Sequence, residues 1–98
     1  MGYFLSIRDM GEVIADLTSR SFDHTWVLDD IRPRPSFERY RELFVQYVDL
    51  LDTEERSDVE EAALEASLVA IDALQLCVAG RPIHDFIFRG ARCEYRFL

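Results

Sequence analysis

Ninety-eight residues, 49% hydrophobic and 12% aromatic, suffice for one globular domain (1–98) with a modest core, and they exclude a disordered tail. The net charge of −8, with eleven basic residues that are all arginine, opposes binding to nucleic acid or an anionic membrane and favours a basic partner. No apolar run reaches membrane-span length, no secretory signal opens the chain, and two cysteines make no disulfide framework, so a reducing cytoplasm is the expected location.

In chain order, GYFLSI (Gly2 to Ile7) is a short run of β-favouring residues and predicts a buried strand. Asp9 and Glu12 then have capping-box spacing. Met10, Val13, Ile14 and Leu17 recur at helical intervals, which predicts a first helix from about Asp9 to Ser21. Thr25 to Leu28 predicts strand or extended loop, and the alternate prolines of RPRPS make a stiff connector after it.

Ser36 is placed to cap a second helix from Phe37 to about Leu51. Phe37, Tyr40, Phe44, Tyr47, Val48 and Leu51 share one face of it. The third helix is expected from Ser57 to Gly80. Ser57 and Glu60 form its capping box, and Gly80 suits the left-handed position after its last turn. Ala62 to Ala79 is so apolar that most of this helix's circumference should be covered, making it the core helix. Only a few residues separate it from the second helix, so the two predict an antiparallel hairpin.

Beyond Pro82 the period changes to two. Phe86, Ile87 and Phe88 precede Arg89-Gly90, after which Ala91, Cys93, Tyr95 and Phe97 alternate with polar residues, predicting a strand hairpin. The expected fold is therefore α+β: three helices, the last two a hairpin, on one face of a small, mostly antiparallel sheet. The alternative is an all-α bundle with the C-terminal run as a fourth helix.

Catalytic chemistry is not legible. His24 and His84 sit beside Asp23 and Asp85, but no third group stands at ligand or triad spacing, so neither enzyme, metal nor cofactor is expected. The acid run lacks the alternate oxygens and central glycine of a calcium loop, and the four glycines are scattered rather than gathered in a phosphate loop. Arg81, Arg89, Arg92 and Arg96 form a positive segment near Phe88 and Tyr95. Against the overall charge they are read as solvating the strands or pairing with the protein's own acids.

Charge is concentrated instead. Asp49, Asp52, Glu54, Glu55, Asp58, Glu60, Glu61 and Glu65 face Arg56 alone, while the rest of the chain is nearly balanced. An ordinary solvated helix turn is one reading, and a surface for a basic partner is the other. Trp26, followed by Asp29 and Asp30, reads equally as an interface anchor or a core plug. The candidate partner-binding set is Trp26, Asp29, Asp30, Asp49, Asp52, Glu54, Glu55, Asp58, Glu60 and Glu61.

TWVLDD (Thr25 to Asp30) and DLLDTEERSDVEE (Asp49 to Glu61), together with size and acidity, resemble the small acidic immunity proteins that bacteria produce with toxins of the colicin or contact-dependent growth-inhibition type. The resemblance implies a stoichiometric inhibitor whose acids steer it onto a basic toxin, a nuclease being one such class, with Trp26 as a desolvated anchor. A small regulatory adaptor or homodimeric subunit is the alternative.

Overall fold

The structure, a computed structural model, describes residues 2–7, 11–23 and 25–98. Its strands are β1 (Gly2–Ile7), β2 (Glu12–Asp23), β3 (Trp26–Pro33), β4 (Leu76–Val78), β5 (Arg81–Arg89) and β6 (Arg92–Phe97). Between β3 and β4 a short 3-10 turn (Pro35–Phe37) leads into α1 (Glu38–Leu51) and α2 (Asp58–Ala73). The strands close into an antiparallel barrel in the order β1-β2-β3-β6-β5-β4, and β4 pairs back onto β1. Closure gives each of the six described strands a neighbour on both sides, although the short β4 covers only Leu5–Ile7 of β1 and the first two residues of β5. The expected open sheet under three helices is thus wrong, and so is the all-α alternative.

The largest correction is the first helix, which is strand β2. Its apolar spacing imitates a helix because β2 carries two bulges. Leu5 pairs with Ala15 and Ser6 with Val13, which leaves Ile14 as an extra residue. Ser19 pairs with Asp29 and Ser21 with Leu28, which leaves Arg20 extra. Each bulge shifts the two-residue alternation by one, so Ile14, Ala15 and Leu17 are all buried. Asp9, the expected cap, lies outside the described residues, and Glu12 begins the strand.

Helix α2 begins where expected. Ser57 Oγ accepts from the Glu60 backbone N–H, and the Glu60 carboxylate accepts from the Ser57 N–H. It stops at Ala73, not near Gly80, because Gln75 takes the left-handed conformation (φ 53°) that ends it. Leu76, Cys77 and Val78 then form the buried strand that closes the barrel. Ala79 and Gly80, both at positive φ between the paired Val78 and Arg81, turn the chain into β5. Cys77 is buried in a strand rather than in a helix, and Cys93 is buried in β6 as the alternation predicts.

The core helix is α1, not α2. Phe37 packs on Phe88 (ring centroids 4.8 Å apart) and Phe44 on Phe86 (5.1 Å), seating α1 against β5. Arg34 fixes the chain where it leaves the barrel: its backbone N–H donates to Ile14 O, and its guanidinium binds both Asp16 oxygens at 2.8 and 3.0 Å. Ser36 is not a helix cap; its hydroxyl donates to Val13 O at 2.9 Å. These contacts fall on the start of β2, so the helical hairpin joins one end of the barrel and leaves the other end open. Among the described residues, no helix is long and apolar enough to cross a membrane.

Candidate functional site

The acids singled out in the sequence divide by what the fold does with them. Asp52 is bound through both oxygens by Arg89 at 2.9 and 3.2 Å, which holds its carboxyl below the usual range. Glu60 is occupied by the capping box, whose hydrogen bonds likewise hold its carboxyl low. Glu61 pairs with Arg56 at 2.8 Å, and the same guanidinium donates to the carbonyls of Leu50, Leu51 and Thr53 at the end of α1. Asp49, Glu54, Glu55 and Asp58 are exposed, and their carboxylates have no intramolecular partner among the described residues.

Of these free acids Asp58 lies in α2, and α2 carries a surface the sequence did not lead one to expect. In α2 only Ser67 and Ile71 are buried. With about 3.6 residues per turn, Val59, Ala62, Ala66, Val69, Ala70 and Ala73 fall on the opposite side, and all are exposed. Val59 is 80% and Val69 62% accessible. Asp58, Glu61, Glu65 and Asp72 run along one margin of this stripe, and α2 contains no basic residue. A signal was present: large apolar side chains (Leu64, Leu68, Ile71) lie on one side of the helix and small ones on the other.

The three candidates on β3 lie elsewhere, so the sequence set is not one surface. Trp26 is half-buried on the outer face of the barrel, with the Arg96 guanidinium 4.7 Å over its ring. Arg96 is held in turn by Asp85, to which His84 Nδ1 lies at 3.3 Å. His24 lies outside the described residues. Asp30 is exposed and pairs with Arg20 at 3.3 Å.

Asp29 is not on the surface at all. It alternates with Val27 and Ile31 on the inner face of β3 and is 0% accessible. Its Oδ2 accepts the Tyr95 hydroxyl at 2.5 Å, while Oδ1 has no partner among the described residues. Burial raises the Asp29 carboxyl above its ordinary range, against the lowering effect of the Tyr95 bond. Burial also pushes up the Tyr95 hydroxyl, and the neighbouring Cys93 thiol with it, so neither ionises near neutral pH.

Among the described residues no group of three His, Cys, Asp or Glu side chains gathers as a metal-ligand set. Compared with protein-family models, curated proteins and solved structures, the chain matches none at a significant level.

Proposed function

We propose that this chain is a non-catalytic, protein-binding inhibitor of the immunity type, which takes a basic partner on the outer face of its helical hairpin. The observation that supports this reading is α2 itself. A helix that buries Ser67 and Ile71 and packs Leu64 and Leu68 against the core leaves six small apolar residues uncovered on its other side, beside a row of carboxylates. Small side chains let a partner approach closely, and the acids supply attraction and register. Asp49, Glu54, Glu55 and Asp58 extend the same negative field around the turn of the hairpin. Asp29 drops out of the recognition surface because it is enclosed in the barrel, while Trp26 stays half-exposed on β3 under the Arg96 guanidinium, apart from the α2 stripe.

The test joins capture to activity. A tagged chain is used on a lysate of the source organism at low and high salt, and the captured protein is then purified and assayed alone and with one equivalent of inhibitor. A basic protein held at low salt, whose toxic activity is silenced at one-to-one stoichiometry, is the expected result. Glu54, Glu55, Asp58 and Glu65 reversed together to Arg should abolish that capture with the fold intact. Salt-independent recovery of the chain alone, as an oligomer, would replace this reading with a self-associating subunit.

A further inference from the structure

The open end of the barrel forms a cavity of about 710 Å³. Tyr3, Val27, Val78, Tyr95 and Phe97 give it apolar walls, and Phe22, 69% accessible, stands at its lip. The strand register explains why it stays open. Ser19 pairs with the inward-facing Asp29, so the inner face of β2 carries only a hydroxyl at that level. The bulge at Arg20 then delays the next inward side chain until Phe22, which pairs with Val27. The buried Val78 and Tyr95 are among its walls, and their strand partners Leu5 and Val27 are buried as well.

The charge of this cavity is opposite to that of the protein. Arg20 and Arg81 line it, and no carboxylate is among its described lining residues, although the chain as a whole carries −8. Arg20 is engaged with Asp30. Arg81 is not: its guanidinium lies 4.0 Å over the Phe97 ring, and it has no carboxylate partner among the described residues. A cation held over an aromatic ring covers apolar surface with its stem, and with no carboxylate engaging it the Arg81 guanidinium keeps its donors for a ligand. Tyr95 is fixed as part of the wall, because moving its hydroxyl would leave the buried Asp29 wholly unpaired.

We propose that the barrel mouth is a binding site for a small hydrophobic monocarboxylate, its alkyl or aryl body between Val27, Val78 and Phe97 and its carboxylate on Arg81. An apolar cleft of this size with one convergent charge is the usual make-up of a small-molecule site. An arginine fork on a carboxylate supplies orientation that the walls cannot. This site is separate from the outer face of α2 and does not depend on the inhibitor reading.

The probe is decanoate, with decanol as its uncharged counterpart, each titrated into the full chain and followed by amide NMR. Decanoate should give saturable shifts centred on Ser19, Val27, Val78 and Phe97, and decanol should bind at least about fivefold more weakly. Arg81→Gln should remove that preference while leaving decanol binding unchanged. Ser19→Trp, an exposed inward position, should fill the mouth and abolish binding of both. The Arg81→Gln arm decides if Ser19→Trp does not fold. Absence of saturable shifts, shifts centred elsewhere, equal affinity for the alcohol, or an unaltered preference in Arg81→Gln would each overturn the proposal.

Discussion

Tyr95 reaches across the β3–β6 seam to donate its hydroxyl to Asp29 at 2.5 Å, and both side chains lie inside the barrel. The bond is one-sided in its consequences. Removing only the donor leaves a buried carboxyl with neither oxygen paired, whereas removing both groups leaves nothing polar to desolvate. Tyr95→Phe should therefore destabilise by about 1–3 kcal/mol in urea unfolding. Asp29→Val combined with Tyr95→Phe should lose less than the single Tyr95 variant. A double variant as weak as the sum of the singles would show that the cost is packing alone.

The pH dependence of stability should carry two opposite contributions. Asp16, Asp52 and Glu60 are lowered by Arg34, Arg89 and the capping box respectively. Their stabilisation is complete above the ordinary carboxylate range and is lost as pH falls through their folded values. Asp29 is raised by burial, so its contribution is complete below the unfolded value and is lost as pH rises through the folded one. Asp29→Asn keeps an acceptor for Tyr95 but cannot ionise. Its stability relative to the parent should rise as pH increases from the ordinary carboxylate range towards neutrality, measured by urea unfolding at each pH. Parallel profiles would mean that Asp29 is not strained by ionisation.

Ala79 occupies the first position of the two-residue turn between β4 and β5 at φ 52°, followed by Gly80 at φ 76°. That mirror-image turn favours Asn-Gly, and alanine carries a steric penalty there. Ala79→Asn should stabilise the chain by about 0.5–1 kcal/mol, read as a rise in thermal midpoint. Gly80→Ala should do the reverse. A methyl at Gly80 would meet no atom within 4 Å, so its cost would be conformational only.

What the sequence conveyed well was local. The Ser57–Glu60 cap, the apolar face of α1 around Phe44 and Tyr47, and the alternation of Cys93 and Tyr95 each involve neighbours a few residues apart. What it concealed depended on distant pairing. Ile14 and Arg20 disturb β2 only relative to β1 and β3, and in one dimension that disturbance reads as a helix. Leu76–Val78 leaves the helical pattern because the barrel needs a strand between β1 and β5. Asp29 resembled a surface acid because the expected strand stopped at Leu28, whereas β3 runs on to Pro33 and its alternation carries Asp29 inward with Val27 and Ile31. The acidic turn was visible as charge, but the internal use of Asp52 required Arg89, thirty-seven residues away.

The two faces of α2 should respond to truncation in opposite ways. Ile71 is 4% accessible and belongs to the buried core, so Ile71→Ala should cost about 2–4 kcal/mol through lost burial and the cavity left behind. Val69, 62% accessible on the outer stripe, should tolerate Val69→Ala within about 0.5 kcal/mol. Urea unfolding of both variants at two protein concentrations tests this. Were Val69→Ala as damaging as Ile71→Ala, something would have to cover the stripe in the isolated protein. A penalty that disappeared on dilution would identify that cover as a second copy of the chain. Equal tolerance at both concentrations instead leaves the stripe uncovered and available to the basic partner proposed for it.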